Sequence, residues 1–123
     1  LNILVADDNR DATDSLALIL EAEGHTVRCT YDGQEALNVA LATRPEVAVL
    51  DLGMPRLDGF WVADAIRRTA PATLLIALTG YGDEHNIARC RTAGFAHHFT
   101  KPIEVTQLLD VLAAFRRGEA SAS

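Results

Sequence analysis

Five residues have side chains that could do chemistry together: Asp7, Asp8, Asp51, Thr79 and Lys101. Asp7 and Asp8 end a short apolar run, Ile3 to Ala6, in the opening "LNILVADDNR". Adjacent carboxylates at the end of a buried run repel each other and are costly to desolvate, so they either stand in water or hold a cation. Asp51 ends a second apolar run, Thr79 ends a third, and Lys101 follows the short segment His97–Phe99. If these ends meet, three carboxylates, one hydroxyl and one amine share a patch. Oxygen ligands without His or Cys favour Mg²⁺ or Mn²⁺ over zinc, and such an ion keeps waters and leaves room for a substrate phosphate. Asp51 is then the candidate nucleophile, because Asp can form an acyl phosphate. Lys101 would supply positive charge to the transferring group, and Thr79 a hydrogen bond to one of its oxygens. This is phosphoryl transfer by positioning and charge compensation.

Each residue also has a plainer reading. Asp8, Asn9 or Asp11 could cap a helix. Asp51 could be a turn residue, Thr79 a cap, and Lys101 a solvated surface lysine. Asp58-Gly59 reads as a turn pair, and Gly80 either leaves space beside Thr79 or breaks structure. Only the joint placement separates the two readings, so it matters which elements carry these residues.

Two periods alternate along the chain. Ile3–Ala6 reads as a strand, and Asp11–Glu23 as a helix with the stripe Ala12, Leu16, Ile19 and Leu20, stopped by Gly24. His25–Thr30 is a second strand, and Gln34–Ala42 a helix with Ala36, Leu37 and Ala40 on its apolar face. Val47–Leu50 is apolar throughout, as expected of a central parallel strand covered on both faces. Pro55 and Gly59 punctuate the next loop before a helix over Phe60–Arg68. Leu74–Leu78 is a fourth strand, Asp83–Thr92 a weaker helix ended by Gly94, and His97–Phe99 a short fifth strand. Ile103–Arg116 is the last helix, with Val105, Leu108, Leu109, Leu112 and Phe115 on one side. Strand and helix alternate five times. The expected fold is α/β: a doubly wound, flavodoxin-like, five-stranded parallel sheet of order 2-1-3-4-5, with helices on both faces. In that order strands one, three, four and five are neighbours, so the five residues converge beyond their carboxyl ends, where such sheets bind ligands.

The 123 residues suit one domain, and 49% apolar with 23% charged is a folding composition. A net charge of −6, from 11 basic and 17 acidic residues, argues against nucleic-acid binding through a basic face. No apolar run approaches the ~20 residues that span a bilayer, and no export signal opens the sequence. These features point to a cytoplasmic domain without membrane contact. The start at Leu1 fits a piece of a longer product. Cys29 and Cys90 have no metal-site spacing and read as free thiols. Adjacent His97 and His98 should face opposite sides of their strand, which speaks against a shared ion. His25 and His85 belong to no pattern, Phe60 and Trp61 read as core, and Tyr81 as loop or surface. Residues 1–117 form the expected domain, and 118–123 a polar tail or the start of a linker.

The sequence resembles the receiver domains of bacterial two-component response regulators. The markers are "VADDN", "VLDLGMPRLDG", "ALTGYG" and "HHFTKPI" at the first, third, fourth and fifth strands. The stretches "DDNRDATDSLALILEAEGHTV" and "AGFAHHFTKP" look most like receivers attached to hybrid sensor histidine kinases. The resemblance implies that Asp51 is the phosphate acceptor. It implies Mg²⁺ held directly by Asp8 and Asp51, through water by Asp7, and by the backbone carbonyl of Gly53. It further implies Thr79 as the switch hydroxyl, Lys101 as the phosphate contact, and a cis Lys101-Pro102 bond. The family's aromatic switch position falls on His98. A histidine kinase or phosphotransfer domain would donate the phosphoryl group on a helix admitted beside Asp51, where Ala12, Leu16 and Ile19 offer apolar contact. Phosphorylation would draw Thr79 inward and shift the surface of helix four, strand five and helix five; slow hydrolysis would reset it. The output partner is open, as is dimerisation. Two rivals differ in class: a receiver-like binding module that never carries phosphate, and a stand-alone Mg²⁺-dependent aspartyl phosphohydrolase. The second often wants an acid two residues after the nucleophile, where this chain has Gly53.

Overall fold

The computed structural model describes residues 1–54, 58–80 and 87–118. Pro55, Tyr81, His85, the first residues of the expected fourth helix and most of the polar tail lie outside them. The order is β1 (Asn2–Ala6), α1 (Arg10–Ala22), β2 (Thr26–Thr30), α2 (Gly33–Thr43), β3 (Val47–Asp51), α3 (Gly59–Thr69), β4 (Leu74–Thr79), α4 (Ile87–Ala93), β5 (His97–Thr100) and α5 (Val105–Arg116). The five strands are parallel and ordered β2-β1-β3-β4-β5.

Strand alternation sorts the core into two layers. Leu4 and Ala6, Ala48 and Leu50, and Leu75 and Ala77 face one side, where α2, α3 and α4 bring Ala36, Ala40, Phe60, Val62, Ile66 and Cys90. Ile3 and Val5, Val47 and Val49, and Leu74, Ile76 and Leu78 face the other, under Leu16 and Leu20 of α1 and Leu108 and Leu112 of α5. β3 and β4 are buried at every position, which explains their unbroken apolar sequence.

Helix starts are set by side-chain caps. Asn9 accepts from the Ala12 N–H at 3.1 Å, Asp32 from Glu35 at 2.8 Å and Asp58 from Trp61 at 2.9 Å. Each such cap contributes about 1 kcal/mol. These caps place Gly33 and Gly59 inside α2 and α3, one residue earlier than the apolar periodicity suggests. α1 ends where Gly24, at φ +93°, donates to the Glu21 carbonyl and His25 to that of Leu20. α5 begins at Val105 rather than Ile103, whose side chain packs on the α1–α5 layer from the preceding loop.

Two expectations about the core are corrected. The buried stripe of α1 is Thr13, Leu16, Ala17 and Leu20, while Ala12 and Ile19 are exposed. Thr13 is tolerated there because its hydroxyl donates to the carbonyls of Asn9 (2.8 Å) and Asp7 (3.3 Å). Trp61 is 53% exposed, not core: in α3 the sheet side is taken by Phe60, Val62, Ala63 and Ile66. On α4 only Cys90 is buried. Ala93 packs on the same core, the Arg89 guanidinium lies 3.9 Å over the Phe60 ring, and Arg67 donates to the Thr92 carbonyl at 3.1 Å. Phe95 meets Phe60 edge-on.

Candidate functional site

The parallel register brings the ends of β1, β3 and β4 level, and β5 hands the chain to Lys101 beside them. The Asp7 N–H donates to the Thr30 carbonyl at 3.1 Å, continuing the β1–β2 ladder past Ala6 and fixing the Asp7 backbone. Asn9 N–H then donates to Asp7 Oδ1 at 3.1 Å. Asp7 is 3% exposed, Asp51 6% and Thr79 3%, while Asp8 is open to solvent. One carboxylate oxygen from each of Asp7, Asp8 and Asp51 lies within 4.8 Å of the others. Lys101 Nζ bridges the two buried members, 2.9 Å from Asp7 Oδ2 and 3.2 Å from Asp51 Oδ2. The Lys101-Pro102 peptide bond is cis.

Three acids against one lysine leave an excess of negative charge in a partly dry mouth. Burial, and the neighbouring Asp7 charge, push the Asp51 carboxyl above the usual carboxylate range, even though the Gly53 N–H (3.2 Å to Oδ1) and Lys101 pull the other way. For Lys101, burial alone would lower the pKa; its hydrogen bonds and charge pairing with Asp7 and Asp51 outweigh that and raise it. An all-oxygen cluster of this charge and spacing can coordinate a divalent cation.

The β3–α3 connection holds Asp51 from behind. Leu52 N–H donates to the Leu78 carbonyl at 3.2 Å. Gly59 packs so tightly on this segment that a Cβ there would sit 2.6 Å from the Asp51 carbonyl oxygen. Gly59 therefore serves close approach as well as turning. Thr79 Oγ1 has its partners on β5: the Phe99 carbonyl at 3.5 Å and Thr100 Oγ1 at 3.4 Å. Its own carbonyl accepts from the Lys101 N–H at 2.8 Å.

The structure thus gathers Asp7, Asp8, Asp51 and Lys101, with Gly53 bonded to Asp51 and Thr79 at the neighbouring strand end. His98 is exposed on β5, paired in register with Ala77, and His97 is half-buried on the opposite face. Cys29 and Cys90 are free. Beside Asp7 and Lys101 a groove of about 580 Å³ opens between α1 and the β5–α5 loop, with Ala12, Leu16, Ile19, Pro102 and Ile103 among its lining. Sequence reading missed Thr13 and Thr100. Thr13 shows only as a polar residue at a helical spacing from Leu16 and Leu20, and Thr100 only once the β4–β5 register is known.

A doubly wound parallel sheet with an acidic cluster at the ends of β1 and β3 and a lysine just after the edge strand β5 defines the class. The description "Response regulator receiver domain" matches residues 3–113, and the chain belongs to that family. Response regulator MprA of Mycobacterium ulcerans is 35% identical over 117 residues, covering 95% of this chain and 50% of the relative. A 14.6 kDa protein of Leptolyngbya boryana is 32% identical, covering 94% of this chain and 89% of its own. A CheY-like receiver domain protein from Methanospirillum hungatei superposes with a TM-score of 0.89 at 26% identity, covering 95% and 94%. The chain spans about half the length of the MprA relatives it matches. Among the described residues no helix is long and apolar enough to cross a membrane.

Proposed function

We propose that this domain accepts a phosphoryl group on Asp51 from a phosphohistidine of a histidine kinase or phosphotransfer domain in the cytoplasm, and relays that event through its surface. The carrying observation is Asp51 itself, buried at a strand end within 3.2 Å of Lys101 Nζ and inside a three-carboxylate cluster. In the forward step an Asp51 carboxylate oxygen attacks phosphorus, an O–P bond forms, the P–N bond to the donor imidazole breaks, and the imidazole leaves. Lys101 then turns from pairing two carboxylates to compensating the phosphoryl oxygens. Thr79 donates its hydroxyl to one of them. Bound Mg²⁺, or Mn²⁺, supplies charge compensation for those oxygens; Asp8, Asp51 and the Gly53 carbonyl would hold it directly and Asp7 through water. Water attack on the acyl phosphate later returns the carboxylate and inorganic phosphate.

The exposed apolar positions Ala12 and Ile19, together with Pro102 and Ile103, suit the groove to a helix presenting the donor histidine. Thr79 and His98 would be the switch positions for the surface of α4, β5 and α5. The likeness of the α1 and β5 stretches supports origin in a hybrid sensor kinase, and the polar, small-residue composition of 118–123 supports a domain end at 117. The test is intact mass after incubation with acetyl phosphate. Wild type gains one phosphoryl group only with Mg²⁺ present, and Asp51→Asn gains none. An equal gain in both proteins overturns the assignment.

A further inference from the structure

The Thr79 hydroxyl is directed at β5. Thr79 is nearly inaccessible to water, so its single hydroxyl proton needs a protein acceptor. Parallel register pairs Thr79 with Thr100, which puts both side chains on the α3–α4 face of the sheet. Asp51, level with Leu78, lies on the side of α1 and α5. Thr79 Oγ1 is 3.4 Å from Thr100 Oγ1 and 3.5 Å from the Phe99 carbonyl. To reach a phosphoryl oxygen on Asp51 it must give up both. Thr100 is exposed, so water replaces its lost partner at little cost, whereas Thr79 has no such recourse.

We infer that Thr100 is a positioning residue: its hydroxyl retains Thr79 in the outward arrangement and so sets how readily the site accepts a tetrahedral anion. This deepens, and rests on, the phosphoacceptor reading. Both contacts are long for hydroxyl bonds, and the Phe99 carbonyl remains when Thr100 is changed, so the hold is partial. Thr100→Val keeps shape but removes the acceptor. The inward state then gains, and apparent affinity for the anion rises by about 2- to 5-fold, the range of one weak hydrogen bond. Thr100→Ser keeps the hydroxyl and should behave as wild type.

The probe is beryllofluoride with saturating Mg²⁺, titrated into the full chain and followed by ¹⁹F NMR of the bound adduct. The Thr79 methyl resonance of the free proteins is the second readout. Expected is tighter binding by Thr100→Val, with its free Thr79 methyl signal displaced toward the bound position, and wild-type values for Thr100→Ser. Unchanged or weaker binding by Thr100→Val overturns the inference, as does equal tightening by both variants, because then the hydroxyl is not the acting group. If wild type itself binds no beryllofluoride, the phosphoacceptor reading fails and this one falls with it; wild-type binding with no Thr100→Val effect sinks this one alone.

Discussion

Replacing Asp51 with Asn should stabilise the metal-free protein, although it removes a salt bridge. Asp7 and Asp51 place carboxylate oxygens within 4.8 Å, which at an effective dielectric of about 20 is a repulsion of roughly 3.5 kcal/mol. Asp8 adds less, because it stands in solvent and is screened. Against these, Lys101 at 3.2 Å attracts Asp51 by about 5 kcal/mol on the same scale. The charge terms leave about 1.5 kcal/mol in favour of the carboxylate, and burial outweighs them. Burial is the leading cause of the raised Asp51 pKa, and an ion withdrawn from water loses several kcal/mol, part of it recovered at a site with an open mouth. Asn keeps an oxygen for the Gly53 N–H and sheds the charge. The expected gain is about 1–2 kcal/mol, a rise of roughly 4–8 °C in Tm for a domain of this length. Circular dichroism melts in chelator should show it. Magnesium should narrow the gap: at ten times its Kd it adds about 1.4 kcal/mol to wild type and less to the variant at the same concentration. A chelator Tm for Asp51→Asn at or below wild type would refute the reasoning.

Gly59→Ala should lower the urea midpoint, by about 1–3 kcal/mol in stability, because the new Cβ meets the Asp51 carbonyl at 2.6 Å; the gain in helix propensity of at most ~1 kcal/mol does not offset it. An unchanged midpoint would show that the β3–α3 segment yields freely. His97 has its pKa lowered by burial, then by His98, so below the ordinary value of 6.5 the unfolded chain takes up a proton that the fold resists. Stability therefore rises with pH through that window and falls on acidification. His97→Gln should lose less Tm than wild type between about pH 7 and 5.5, and parallel losses would discount His97.

The sheet was legible because burial on both faces leaves no polar alternation in β3 and β4, and because Asp7, Asp51 and Thr79 each stop an apolar run. The convergence of the acids followed from strand order. Other features depend on geometry that spacing does not carry. Trp61 and Ile19 look like core residues, yet each falls on the outward side once the caps Asp58 and Asn9 set the phase of its helix. Gly59 reads as a turn residue until its contact with the Asp51 backbone is seen. Thr100 is an ordinary strand residue until the register places it opposite Thr79.

The seven-residue α4 has a single buried side chain of its own, and two exposed arginines, Arg89 on it and Arg67 on α3, tie it to its neighbour. Detaching that flank forfeits little apolar contact, whereas parting β3 from β4 forfeits most of the core. Its amides should therefore exchange with deuterium well before those of the central strands. That rim can slacken while the interior stays shut.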